Sequence, residues 1–131
     1  ICGLIFDPIK DEMFYAEKNN GAFFNNQRIR VSKKSSLEEC LFAIGKMKKE
    51  PDLAYRRTGC ASLDIAYVAS GRLDGYVQDN AQLWDIAAGI VIVKEAGGIV
   101  NNLDKFNHKN IDIQASSSAI NDKMLKNLKN F

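Results

Sequence analysis

Short apolar runs separated by turn-forming residues occupy the first third of the chain. Asp7-Pro8 ends the first run, and Asn20-Gly21 is a dipeptide typical of two-residue β-hairpin turns. Asn25-Asn26 turns the chain again before the next apolar segment. The pattern predicts an antiparallel meander that needs a helical layer on one face. The predicted strands are residues 1–6, 13–17, 22–24 and 29–31, followed by a short helical turn near residue 36 and a strand at residues 40–44.

Helical and strand patterns alternate from residue 56 onward. Apolar side chains at helical spacing, such as Leu63 and Tyr67, predict a helix over residues 59–70. A nearly continuous apolar segment follows Trp84 and stops at a double glycine beginning with Gly97, which predicts a helix covered on most sides. Such alternation is typical of layered α/β proteins. The other predicted elements are a strand at 73–77, a polar loop at 78–82, strands at 99–100 and 111–115 around a polar loop at 101–110, and an amphipathic helix from 118.

Composition narrows the possible classes of protein. The 131 residues are 46% hydrophobic and 26% charged, which is ordinary for a soluble globular protein. A net charge of +2 is too small by itself to indicate nucleic-acid or membrane binding, and no apolar run is long enough to span a membrane. No signal peptide is visible. The three cysteines are odd in number and lack metal-ligand spacing, so we expect reduced thiols in a cytoplasmic protein.

Asp85 is the most informative single residue, because it stands at the start of the apolar helix after Trp84. The first turn of a helix has unpaired N–H groups and partial positive charge, which keeps a carboxylate ionised. From the residues alone, two interpretations stay open. Asp85 is either an ordinary capping residue or a carboxylate that faces a bound cation.

The segments around this residue resemble the inositol monophosphatase family. The resemblance rests on residues 84–89 and 94–98 together with the preceding run 56–71. Residues 3–8 and 21–26 are similar to central strands of the same family. The match keeps its order along nearly the whole chain, but it covers only the second half of the family.

The resemblance implies a layered α/β sandwich of the sugar phosphatase type. In this fold class, part of an antiparallel sheet is followed by a mixed, mainly parallel sheet flanked by helices. Residues 1–44 would supply strands of the first sheet layer, and residues 56–131 would form an α/β subdomain that carries the Trp84-Asp85 motif. Residues 45–55 would be a loop. The family normally has a helix there, so we expect that this helix is lost or that residues are omitted.

The resemblance also implies a catalytic site with two or three Mg²⁺ ions per complete centre. Asp85 matches a metal-binding aspartate whose second oxygen lies near a substrate hydroxyl, which makes it the candidate catalytic, metal-binding and substrate-binding residue. Gly59, Cys60 and Ala61 match a turn whose helix-terminal N–H groups contact substrate. Gln78 stands where the family usually has a glutamate that accepts a hydrogen bond from a sugar or inositol hydroxyl.

This sequence departs from the family pattern at several positions. Cys60 replaces a hydroxyl residue, and Gln78 lacks the charge of the usual carboxylate. The other metal-ligand motifs of the family lie before residue 1, so this chain alone should not form a working centre. Asp64 and Asp74 are expected to serve structure, with Asp64 on the outer face of a helix. For Arg56-Arg57, pairing with acids or phosphate and simple solvation remain open, and His108 receives no role.

We therefore expect the C-terminal portion of a Mg²⁺-dependent phosphomonoesterase that hydrolyses inositol monophosphate or a related sugar phosphate. Within enzymes, a fructose-bisphosphatase or a nucleotide 3′-phosphatase is the alternative. A different class stays open as well, namely a non-catalytic interaction protein like bacterial relatives that act with the transcription and RNA-processing machinery. The lysine-rich segment 45–49 favours that alternative modestly. The expected partners are a small phosphomonoester and a second copy in a homodimer, without a membrane or a direct nucleic-acid motif.

Overall fold

The computed structural model describes residues 1–103 and 110–129, which form two β-sheets and three α-helices. His108 and part of the predicted loop at 101–110 lie outside the described residues. In the described part of the chain, no helix is long and apolar enough to cross a membrane. The strands are β1 (Cys2–Asp7), β2 (Glu12–Glu17), β3 (Ala22–Phe24), β4 (Gln27–Ile29), β5 (Phe42–Ile44), β6 (Tyr55–Arg56), β7 (Gly75–Ala81), β8 (Ile99–Asn101) and β9 (Ile111–Ser116); the helices are α1 (Ala61–Ala69), α2 (Leu83–Glu95) and α3 (Asn121–Lys129).

The first sheet is the predicted antiparallel meander, with strand order β1-β2-β3-β4. Asn25 and Asn26 both have positive φ angles, of 43° and 70°, as a two-residue hairpin turn with the mirror-image geometry requires. Because this turn is so short, β4 begins at Gln27, two residues earlier than the pattern predicts. Leu37–Glu39 forms the expected helical turn, as one turn of 3₁₀ helix.

The second sheet is mixed, with strand order β6-β5-β7-β9-β8. The pairs β5–β6 and β5–β7 are parallel, whereas β7–β9 and β8–β9 are antiparallel. The parallel part is therefore smaller than predicted. The predicted assignment of residues 1–44 to the first sheet layer is wrong for Phe42–Ile44. This strand belongs to the second sheet, because it pairs with the more distant strands β6 and β7.

The strand β7 is longer than its apolar pattern predicts. It extends from Gly75 to Ala81 because β5 pairs with it on one side and β9 on the other. Gln78, expected in a loop, consequently lies inside a strand. Tyr76 and Gln78 share one face of β7, while Val77 and Asp79 share the other, since side chains alternate along a strand.

Two apolar cores hold the layers together. Between the sheets, α1 and α2 pack side by side. Each layer contributes to the core there: the first sheet through Phe14, the helices through Ile65 and Ile86, and the second sheet through Ile113. At Gly89 of α2, an added Cβ would lie 2.6 Å from Cγ2 of Ile65, so only glycine permits this approach of the two helices. The second core, between the second sheet and α3, is formed by Cys40, Phe42, Ile44, Val77, Ile120 and Met124.

The connection between β5 and β6 contains no helix. Parallel neighbouring strands are usually joined by a dozen or more residues that include one. Here residues 45–54 make the connection as bends and extended chain. The segment is therefore a loop, in the place where the family resemblance implies a helix.

The outer face of the first sheet carries apolar side chains that no other described element covers. Leu4 of β1 is 57% exposed, and Phe6 and Met13 are exposed as well. Leu4 lies opposite Tyr15 in the register of β1 and β2, and the rings of Tyr15 and Phe23 stack with centroids 5.3 Å apart. We call these five residues the outer apolar face.

Candidate active-site cleft

A cleft of about 430 Å³ opens where the carboxyl end of β5 and the middle of β7 meet the first turns of α1 and α2. In parallel sheets the carboxyl ends of the strands are the usual position of ligand sites. All the residues predicted to bind substrate or metal line this one cleft; they are Gly59, Cys60, Ala61, Gln78 and Asp85. The cleft is also lined by residues that were not predicted to belong to a site; they are Ile44, Gly45, Lys46, Ser62 and Tyr76, together with Arg57 and with Asp64, which was expected to serve structure.

Asp85 lies in the first turn of α2 with its side chain exposed to the cleft. The residue in the N-cap position is Gln82, and no side chain caps the helix. The Asp85 carboxylate has no hydrogen bond or ion pair with any residue that the structure describes. The capping interpretation of Asp85 is therefore wrong, because the helix begins two residues earlier. What remains at this position is an open carboxylate, next to Trp84, which is 73% exposed.

The turn before α1 presents backbone to the cleft. Gly59 has a φ angle of +85°, a conformation that side chains other than glycine rarely adopt, and nothing lies within 4 Å of the position that a Cβ would occupy. Cys60 follows in the N-cap position, but its thiol does not cap the helix and lies 3.8 Å from the Ser62 hydroxyl. The first N–H groups of α1 therefore have no capping side chain, and such groups attract anions and hydroxyl oxygens.

The Gln78 side chain accepts a hydrogen bond from a neighbour on its own strand. The Tyr76 hydroxyl donates a hydrogen bond to Gln78 Oε1, and the carboxamide lies against Gly45, where there is no space for a Cβ. Burial raises the pKa of Tyr76, and the nearby carboxylates of Asp64 and Asp85 add to this effect. Tyr76 therefore keeps its proton and acts as a donor. Gln78 retains its amide N–H groups and one lone pair of its oxygen for a ligand.

Asp64 is only 2% exposed, so its predicted place on the outer face of α1 is wrong. The Thr58 hydroxyl donates a hydrogen bond of 2.5 Å to Asp64 Oδ1, which links the helix to the turn that precedes it. Burial raises the pKa of Asp64, and the bond from Thr58 offsets part of that increase. A signal for this position exists in the sequence, because Asp64 stands three residues after Ala61 on the same helical face.

Asp74 is buried in a structural position, as expected. Its carboxylate accepts a 2.8 Å hydrogen bond from the Leu41 N–H and lies 3.3 Å from the Lys34 ammonium. It holds the start of β7 against the segment that leads into β5, and it does not line the cleft.

Arg57 is a wall residue of the cleft with its charge already balanced. Its guanidinium donates a 2.6 Å hydrogen bond to the Gly45 carbonyl and forms a 2.7 Å ion pair with Glu50. Arg56, in contrast, is exposed, and its side chain contacts the carbonyl of Tyr55. Of the interpretations left open for this pair, pairing with an acid is confirmed for Arg57, whose ion pair with Glu50 ties the end of β6 to the segment after β5.

The open carboxylate of Asp85 fits a hard cation such as Mg²⁺, which prefers carboxylate oxygens and water as ligands. Among the described residues, however, no group of three or more His, Cys, Asp or Glu side chains could hold a metal ion. The nearby Asp64 is buried and bonded to Thr58. The residues present thus fit one part of a metal site and not a complete one.

Residues 1–130 match the sequence profile of the inositol monophosphatase family. The fold class is accordingly an α/β sandwich of this type, and the chain belongs to the inositol monophosphatase family. Solved structures agree with this assignment. The extragenic suppressor protein SuhB from Bartonella henselae superimposes with a TM-score of 0.88 at 42% identity, over 98% of this chain and 56% of that one.

The chain is similar in sequence to family members that carry different functional names. It is 37% identical to a protein named Nus factor SuhB from Haemophilus influenzae, over 97% of this chain and 54% of the relative. It is 44% identical to a fructose-1,6-bisphosphatase/inositol-1-monophosphatase from Thermotoga maritima, over 76% and 43%. The chain thus spans about half the length of the curated relatives it matches. The Haemophilus alignment extends over 145 positions, so that relative contains residues that this chain lacks.

Proposed function

We propose that these residues form the C-terminal portion of a Mg²⁺-dependent phosphomonoesterase that acts on inositol monophosphate or a related sugar phosphate. One observation carries the proposal: the unpartnered carboxylate of Asp85 and the uncapped first turn of α1 line the same cleft. The first is a ligand for a hard cation, and the second suits an anionic or hydroxyl-bearing ligand. Membership of the family supports the reaction class.

Each cleft residue has a role in this proposal. Asp85 binds a metal ion and orients a substrate hydroxyl, while the turn at Gly59, Cys60 and Ala61 positions the alcohol part of the substrate. Gln78 bonds a sugar or inositol hydroxyl through its free amide groups. When bound, Mg²⁺ would supply Lewis-acid stabilisation of the charge that develops on the phosphoryl oxygens.

The proposal includes a site that residues 1–131 do not complete. One open carboxylate cannot hold two Mg²⁺ ions, so further ligands must come from outside this chain and the chain alone should be inactive. A homodimer and a cytoplasmic location belong to the same proposal. The three cysteines are free thiols in the structure, which suits a reducing compartment.

The test is phosphate release from inositol 1-phosphate by the full-length protein with Mg²⁺, compared between the parent and Asp85→Asn. We expect the variant to lose at least about a hundredfold in kcat, since the amide removes the anionic ligand. Asp122→Asn is the matched control, because Asp122 is an exposed acid in the first turn of α3, away from the cleft. Unchanged turnover in Asp85→Asn would remove this carboxylate from the mechanism.

The second candidate function is that of a non-catalytic interaction protein of the transcription or RNA-processing machinery. Relatives named Nus factor SuhB and the exposed lysines of the segment after β5 favour it. Retention of a partner from cell extract, without hydrolysis of any phosphomonoester in a panel, would support this candidate. The panel includes fructose 1,6-bisphosphate and a nucleoside 3′-phosphate, which separate the alternatives within enzymes.

A further inference from the structure

Lys46 occupies a fixed position at one wall of the cleft. It is the second residue after β5, and the backbone there continues the pairing with β7. The Gly45 N–H donates to the Val77 carbonyl at 2.9 Å, and the Asp79 N–H donates to the Lys46 carbonyl at 2.8 Å. The backbone of Lys46 is therefore held by the sheet, while its side chain is exposed at the cleft.

The charge of Lys46 is not balanced by the part of the chain that the structure describes. No hydrogen bond or ion pair of its ammonium group occurs with residues 1–103 or 110–129. Arg57, the other cation of the cleft, differs in this respect, because Glu50 and the Gly45 carbonyl already occupy its guanidinium. Lys46 is consequently the cation of this cleft that is available to a ligand.

The cleft carboxylates that the structure describes, those of Asp64 and Asp85, belong to α1 and α2, whereas the β7 side chain beside Gly45 is an amide. Gln78, which lies against Gly45, is a neutral amide where the family resemblance implies a glutamate. Asp79 faces the other side of β7, and its carboxylate accepts a 2.8 Å hydrogen bond from the Lys48 N–H. Loss of a negative charge next to an unpaired positive one favours an anionic ligand group at this wall.

We propose that Lys46 binds a second anionic group of the substrate, so that the preferred substrate is a phosphomonoester that carries another phosphate or carboxylate. The inference rests on the proposed phosphatase function and deepens it. An uncharged polyol monophosphate would fill the cleft and leave Lys46 without a partner. A sugar bisphosphate would place one phosphate near the Asp85 side and the other near Lys46.

The experiment compares two substrates in the full-length protein with Mg²⁺: fructose 1,6-bisphosphate and inositol 1-phosphate. For Lys46→Ala we expect kcat/KM to fall on the order of fivefold to tenfold for the bisphosphate, mainly through KM, and to stay within about twofold for inositol 1-phosphate. Lys46→Arg should retain most of the preference. Added salt should raise KM for the bisphosphate more in the parent than in Lys46→Ala, because screening weakens the ion pair.

Lys48→Ala is the matched control, since it removes the same charge two residues away from a side chain that does not line the cleft. Equal loss for both substrates in Lys46→Ala, or the same selective loss in Lys48→Ala, would overturn the proposal. Binding of fructose 1,6-bisphosphate, measured by calorimetry without divalent cations, separates this proposal from the phosphatase function. If nothing is hydrolysed but Lys46→Ala still weakens binding selectively, the phosphatase function fails and the Lys46 site stands. If the parent does not bind the bisphosphate, the Lys46 site fails.

Discussion

The first turns of α1 and α2 look alike in sequence and differ in structure. Each contains one aspartate, and each helix begins beside the same cleft without a capping side chain. Asp64 of α1 is buried and bonded to Thr58, whereas Asp85 of α2 is exposed and has no partner in the described residues. The same residue type near the start of a helix thus serves structure in α1 and remains available for a ligand in α2.

The largest expected effect is the loss of turnover in Asp85→Asn, and a stability measurement sharpens the comparison. Because the carboxylate has no partner among residues 1–103 and 110–129, we expect the free energy of unfolding to stay within about 0.5 kcal/mol of the parent. Urea denaturation of the parent and the variant, without divalent cations, tests this. A destabilisation above about 1 kcal/mol would mean that Asp85 is a structural residue like Asp64.

The next effect would come from separating the two helices. Gly89→Ala places a Cβ 2.6 Å from Ile65 Cγ2, and crowding of this kind costs about 1–3 kcal/mol, which exceeds the gain of about 1 kcal/mol in helix propensity. We therefore expect a lower urea midpoint for Gly89→Ala. Ala87→Ser on the exposed face of α2 is the control. Ile65→Ala removes the Cγ2 that the new Cβ would strike, so it should destabilise Gly89→Ala less than it destabilises the parent, and a purely additive double variant would contradict direct contact at this point.

A smaller and opposite effect is expected for Asp64→Asn. Burial raises the pKa of Asp64, so the ionised side chain is less favourable in the folded than in the unfolded protein at neutral pH. The neutral amide can still accept the bond from Thr58. We expect Asp64→Asn to raise the free energy of unfolding at pH 7, as measured by urea denaturation. A clear destabilisation would show that the charge of Asp64 is needed for folding.

The smallest expected effect is the pH dependence of the difference in free energy of unfolding between Asp64→Asn and the parent. Between the ordinary pKa of an aspartate, about 3.9, and its raised value in the folded protein, the folded state holds the proton more strongly. The contribution of Asp64 to stability is therefore fully present below this range and is lost as the pH rises through it. Urea titrations across acidic to neutral pH should show the parent losing stability relative to Asp64→Asn over this window. A constant difference would contradict the raised pKa.

Most of the candidate site could be predicted from the family resemblance, and two of its segments also stand at recognisable chain positions. The Gly59 turn and Asp85 each mark a helix start, and helix starts can be located from local patterns. Lys46 and Tyr76 could not be assigned in this way, since their roles depend on β5 and β7 lying side by side. The rule that ligands bind at the carboxyl ends of parallel strands indicates Lys46 only when that pairing is known.

The fold could be predicted less completely where pairing partners are distant in sequence. The meander of β1 to β4 follows from turn residues between neighbouring strands. Nothing in the short run at Phe42–Ile44 reveals that it pairs with β7, some thirty residues further on. The polar second half of β7 is likewise held by its neighbours and not by its own composition.

The outer apolar face has a practical consequence for anyone who produces this polypeptide by itself. Side chains such as Leu4 and Phe6 are exposed to water in this polypeptide. A contiguous exposed apolar surface of this kind promotes self-association. We expect samples of the 131-residue polypeptide to form particles whose size grows with concentration. Light scattering should detect this growth, and Leu4→Lys, on the exposed side of an edge strand, should reduce it.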